Sequence, residues 1–211
     1  MGRVFPMGLS AERLRAGIDH ICGIEPKYAE ALLSAGYPEP RISGRGVTTL
    51  MRTIVGQQVS VKAADSIFLR LKAAVGGFDD LHKVLEVPVE TLRAAGLSGQ
   101  KASYILSLAE AVVSGALDFD NLPQDDDEAI KALVAVKGIG RWSAEIYLLF
   151  AEGRSDIWPA GDLAVQIQLG RILGLEGKPS EKLTRELVEH LRPHRGALAI
   201  FMWHDYQIVV I

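Results

Sequence analysis

The sequence predicts an all-α protein. Apolar residues recur at helical spacing from end to end, segments alternating apolar and polar residues are almost absent, and nearly every apolar run is bracketed by Gly, Pro, Asp or Ser. Ser10 opens a first helix that runs to about Ile21, with Glu12 and Arg13 in its first turn. Pro26 starts a second, which the Gly36-Tyr37-Pro38 break ends. Thr48 to Val55 and Val61 to Val75 read as two helices separated by Gly56-Gln57-Gln58-Val59-Ser60, the later one closing at Gly76-Gly77. Further helices are expected at 80–86, 88–95, 100–114, 126–135, 141–151, 163–173, 180–191 and 195–208.

Composition bounds the class. The chain has 211 residues, large enough for one substantial core or two interlocked lobes, and no low-complexity tract or long linker marks a border. Its single cysteine permits neither an internal disulfide nor a four-thiolate zinc or iron–sulfur centre. No apolar stretch reaches the ~18 residues of a membrane span. Met1 to Met7 offers no signal-peptide core, and Pro6 stands where myristoylation prefers Ser or Thr, so a cytoplasmic protein without a membrane partner is expected. The net charge of −3 argues mildly against a nucleic-acid partner. Six acids, however, lie between Asp118 and Glu128, and outside that stretch the 23 basic residues face 20 acidic ones. A basic face elsewhere is therefore open, the acidic cluster reading as a solvated loop that runs into a helix start.

One segment has a chemical logic of its own. Gly138-Ile139-Gly140 ends one helix and begins another, with both glycines able to take positive φ and Ile139 able to plug the core. The backbone N–H groups from about Gly138 to Trp142 would then face outward at a helix start, a site for an anion such as phosphate, with Lys137 and Arg141 beside it. A plain helix–helix turn would use the same residues. Leu92 to Ala102 echoes this segment weakly. Asp162 stands where a later helix starts, a natural N-cap, and that role is compatible with chemistry. His190 and His194 have i,i+4 spacing, but Pro193 interrupts the helix between them, so no transition-metal site is expected.

Four segments together carry a resemblance: Ile54-Val-Gly-Gln-Gln-Val-Ser-Val-Lys-Ala-Ala64, Val136-Lys-Gly-Ile-Gly-Arg-Trp-Ser-Ala144, Pro-x-x-Asp at 159–162, and Arg192-Pro-His-Arg with Trp203. From about residue 10 to 208 the chain resembles the helix-hairpin-helix superfamily of DNA glycosylases, and within it the 3-methyladenine DNA glycosylase II branch. The resemblance implies double-stranded DNA containing damaged bases as partner, gripped by the hairpin N–H groups. The target nucleotide would be flipped out of the stack, with Asp162 the carboxylate that stabilises the developing sugar cation and orients or deprotonates water. Trp142 and Trp203 would be pocket aromatics attracting a cationic base, with core packing the plainer alternative. Gln58 would be the wedge entering the vacated gap, with Gln57 its neighbour, a loop hydrogen-bonding role being the competitor.

Departures from the family pattern carry information too. Where strand-cleaving relatives place a Schiff-base lysine, this chain has Trp142, which implies a monofunctional enzyme without lyase activity. Lys137 replaces a common proline before the hairpin and adds a basic group near the expected phosphate. Glu145 shares a helix face with Arg141 and Trp142 and would bias a pocket toward cationic or amino-bearing bases, or else be an ordinary exposed carboxylate. The resemblance also implies an alkali-metal ion, Na+ or K+, on the carbonyls of Val134, Val136 and Ile139, although no cofactor is required for the chemistry.

The resulting expectation is a helical barrel over residues 44–156 and a second lobe from 1–43 plus 157–211, with Asp162 in the cleft and the chain a monomer. The expected activity is hydrolytic release of alkylated bases in base excision repair. Two rivals remain: a bifunctional glycosylase/lyase for oxidised bases, and a lesion-binding protein without catalysis.

Overall fold

The computed structural model describes residues 8–210, with side chains to residue 208. The readings made on Met1 to Met7 lie outside the described residues. Twelve α-helices form among the described residues: α1 (Ala11–Ile24), α2 (Pro26–Ala35), α3 (Val47–Gly56), α4 (Val61–Val75), α5 (Leu81–Glu86), α6 (Val89–Ala94), α7 (Gly99–Val113), α8 (Asp126–Val134), α9 (Arg141–Phe150), α10 (Leu163–Leu173), α11 (Glu181–Val188) and α12 (Arg195–Val210). No described helix is long and apolar enough to cross a membrane.

Helix starts follow capping chemistry. Ser10, Ser60, Ser98 and Ser180 each accept the backbone N–H three residues on, and Asp125 does the same for α8, whose first turn holds Asp126, Asp127 and Glu128. The acidic stretch thus lies largely where carboxylates complement the positive end of a helix dipole. The helix expected over 180–191 tightens after Val188 into a 3-10 turn, Glu189–Leu191.

The chain divides into two compact units, one running from Gly44 to Tyr147, the other made of the chain up to Ser43 and from Leu148 onward. The divisions fall between residues 43 and 44 and, inside α9, between 147 and 148, where the sequence predicts borders at 43/44 and 156/157. Polar ties explain why residues 148–156 side with the chain ends. Ser43 N donates to Phe150 O at 2.9 Å and Gly196 N to Ser155 O at 2.8 Å. Asp156 is gripped by Arg195, itself 8% exposed, through Nε at 2.8 Å and Nη2 at 2.9 Å.

In the 44–147 unit α7 is the central helix, meeting α3, α5 and α6 and burying Ala102, Ile105, Leu108 and Ala109. In the other unit that place belongs to α12, against which α1, α2 and α10 pack. Every side chain from Ala197 to Trp203 is buried, so α12 has no polar face over this stretch, as expected of a helix enclosed on all sides.

The echo between Leu92–Ala102 and Leu133–Ala144 is structural. Gly96 (φ +106°) and Gly138 (φ +95°) open the two turns, and the next residues, Leu97 and Ile139, are each 4% exposed. Ile139 is therefore the plug the sequence predicts. Of the two hairpin glycines, both able to take positive φ, only Gly138 does so. A Cβ there would land within the Tyr104 ring, whereas one on Gly140 would meet nothing within 4 Å.

Two substitutions should therefore separate. Gly138→Ala combines left-handed backbone with an overpacked contact and should lower unfolding stability by about 2–4 kcal/mol. Gly140→Ala should stay within about 0.5 kcal/mol of wild type. Urea melts check both.

Candidate DNA-repair site

Asp162 is fixed by the turn that precedes it. Ala160 N and Asp162 N donate to Trp158 O and Pro159 O, both at 2.9 Å, and the Gln166 amide holds Ala160 O at 2.6 Å. Gln166 is itself held by Lys178 Nζ at 2.6 Å, and the Trp158 indole beneath is 3% exposed. The result places Asp162 at the N-cap of α10, its Oδ1 accepting Val165 N at 3.0 Å. The same oxygen accepts Trp203 Nε1 at 3.0 Å. The carboxylate is half-buried, so it is neither lost in the core nor free to swing.

Trp203 is not an open stacking wall. It is 8% exposed, Phe150 tilts against it at 5.5 Å between centroids, and the Arg41 guanidinium lies 5.6 Å from its ring centre. Its role in this geometry is to orient Asp162. The burial follows from its place on the fully enclosed stretch of α12. Arg41 escaped sequence reasoning, because it sits in an irregular segment between α2 and α3 with no periodicity or motif to mark it.

The 44–147 unit brings the other predicted residues together. The hairpin turn is closed by Ile139 N donating to Val136 O at 3.1 Å, and α9 begins with Ala144 N on Gly140 O at 3.0 Å. Lys137 and Gly140 are exposed. Gln57 Nε2 donates to Gly138 O at 3.0 Å, tying the loop after α3 to the hairpin. Lys101 Nζ caps Val55 O at 2.7 Å, and burial pulls its pKa down. Gln58, exposed, is the one non-glycine of positive φ (+56°) among the described residues. Such backbone typically costs about 1 kcal/mol or more in a non-glycine, and it points to a residue whose presentation matters.

At the start of α9, Trp142 is 47% exposed. Arg141 turns to carboxylates, with Nε on Glu145 Oε1 at 2.9 Å and Nη2 on Asp127 Oδ1 at 3.4 Å. Glu145 is 2% exposed, which excludes the ordinary surface carboxylate. Its helical spacing from Arg141 brings the two side chains together, as the sequence suggests, with the carboxylate buried and the guanidinium half exposed.

Among the described residues no cluster of three His, Cys, Asp or Glu could hold a metal. Val134 is the last residue of α8, and carbonyls at a helix end keep acceptor capacity that a hard monovalent cation could use.

Comparison with known proteins identifies the family. The DNA-3-methyladenine glycosylase 1 of Schizosaccharomyces pombe is 29% identical over 191 residues, covering 87% of this chain and 84% of its own length. A solved structure of the S. pombe 3-methyladenine DNA glycosylase, in complex with abasic DNA, superposes with a TM-score of 0.77 at 28% identity over 93% of this chain and 97% of that one. A DNA-3-methyladenine glycosidase from Bacillus halodurans gives a TM-score of 0.82 at 29% identity, over 92% of this chain and 90% of that one. The family model of HhH-GPD superfamily base excision DNA repair proteins matches residues 51–193, which span the loop after α3, the hairpin and Asp162, and the chain belongs to that superfamily.

Proposed function

We propose that the protein is a monofunctional DNA glycosylase that hydrolyses the N-glycosidic bond of alkylated bases during base excision repair. The observation that carries this reading is the half-buried Asp162 carboxylate, fixed through Oδ1 by Val165 N and Trp203 Nε1. Relatives of similar length that share 29% of the sequence are named DNA-3-methyladenine glycosylase and DNA-3-methyladenine glycosidase.

The chemistry follows from charge. As the base leaves, positive charge grows on the deoxyribose, and a carboxylate that needs no reorganisation stabilises it and orients the attacking water. A base made cationic by alkylation leaves without a strong acid. The hairpin N–H groups, with Lys137 beside them, hold the DNA backbone irrespective of sequence. Gln58 enters the space left by the flipped nucleotide, and Gln57 braces that loop on Gly138. Trp142 supplies exposed indole surface for stacking on the base, while Glu145, acting with Arg141, sets the charge beside it.

An alkali-metal ion would be held by the carbonyls of Val134, Val136 and Ile139, where it would add positive charge for a backbone phosphate and take no part in base release. Trp142, in place of an amine, leaves no Schiff base to form, so the product is an intact strand with an abasic site. The protein acts as a monomer wherever the cell keeps its DNA.

Asp162→Asn keeps an oxygen for the cap but removes the charge. Base release from methylated DNA, followed by mass spectrometry, should fall at least about a hundredfold while affinity for the DNA is largely retained. A non-catalytic binder would show no release in either form. Trp203→Phe keeps a ring but loses the donor, and release should drop roughly tenfold with the fold intact. Strand breaks appearing without alkali would favour the lyase alternative instead.

A further inference from the structure

Arg41 is a half-buried cation without a hydrogen-bonding or ion-pairing partner among the described residues. Its guanidinium lies over Trp203, whose Nε1 holds Asp162 Oδ1. Trp203 thus touches both groups; burial lowers the pKa of Arg41, and the Asp162 charge works against that fall. A fixed positive charge beside the carboxylate that steadies a sugar cation would oppose the reaction if it had no other purpose. Guanidinium is weakly hydrated and presents its donors as a rigid fork matched to phosphate oxygens. DNA brings such an anion with it, because every deoxyribose that reaches Asp162 carries a phosphate on either side.

We propose that Arg41 binds one of the two phosphates flanking the flipped nucleotide, so that the sugar is seated on Asp162 by its own backbone. This rests on the reading of Asp162 as the catalytic carboxylate. Before DNA arrives, the guanidinium is parked on the Trp203 ring. The arriving phosphate then supplies the negative charge that lets a cation stand beside Asp162. The contact is made equally in ground and transition states, so it sets affinity and KM more than the rate of bond cleavage.

The test uses the full chain and duplex DNA with a tetrahydrofuran abasic site, which requires no chemistry. Dissociation constants are measured from 50 to 200 mM salt for wild type, Arg41→Gln and Arg41→Lys. Arg41→Gln should bind roughly tenfold more weakly at low salt, with a log–log salt slope shallower by about 0.9, whereas Arg41→Lys should keep the wild-type slope. Replacing each flanking phosphate in turn by a neutral methylphosphonate should weaken wild type at one position and leave Arg41→Gln unaffected there. An unchanged slope in Arg41→Gln, or an equal methylphosphonate penalty in both proteins, overturns the proposal. Should Arg41→Gln fail to fold, wild type alone decides: no flanking position sensitive to methylphosphonate sinks it. Failure of the glycosylase reading would look different, as wild type releasing no base at all from methylated DNA.

Discussion

The hydrogen bond between the Trp203 indole and Asp162 Oδ1 is the constraint on which the rest of this account depends. A carboxylate at a helix N-cap is commonplace, and its usual work is to satisfy a backbone donor. Here the same oxygen also takes an indole N–H from a helix buried over seven consecutive residues, α12. That second bond converts a flexible cap into an anion of set orientation. Since α12 is the central helix of its unit, the packing of the whole unit stands behind one oxygen atom. Electrostatic stabilisation of a developing cation is effective to the extent that the dipoles and charges need not move when it forms.

The 44–147 unit shows a parallel economy. Gln57 joins the loop after α3 to the carbonyl of Gly138, so the loop carrying Gln58 and the hairpin are one braced surface. Strained backbone at Gln58 and left-handed backbone at Gly138 sit on either side of that bond. The buried Glu145 with its Arg141 partner anchors the first turn of α9, from which Trp142 projects. Orientation, and not bulk charge, is what this surface would bring to the proposed DNA contact, consistent with a chain whose net charge is slightly negative.

The helices were legible because their punctuation is local. Ser10 caps the helix it is expected to open, and Pro26 stands at the first helical position. Ile139 read correctly as a plug because a lone branched apolar residue between two glycines has few other uses. Legibility ended where tertiary surroundings decide. Trp203 and Trp142 look alike in sequence, yet one lies in a helix with no polar face and the other at an exposed helix start. Glu145 gives no local sign of burial. Gly138 and Gly140 look alike in sequence, yet only Gly138 has left-handed backbone and only there does Tyr104, thirty-odd positions upstream, crowd the site. Arg41 had no signal at all, since its meaning comes from Trp203 and Asp162, both far along the chain.

The central claim is that Asp162 answers positive charge on the sugar. Its most direct measurement is the affinity for duplex DNA carrying a cationic pyrrolidine abasic nucleotide, set against the neutral tetrahydrofuran equivalent, in wild type and Asp162→Asn. Wild type should prefer the cationic analogue by a factor of about ten or more, and the amide variant should lose that preference while binding the neutral analogue normally. Equal affinity for both analogues in wild type, or a preference that survives in Asp162→Asn, would contradict the account.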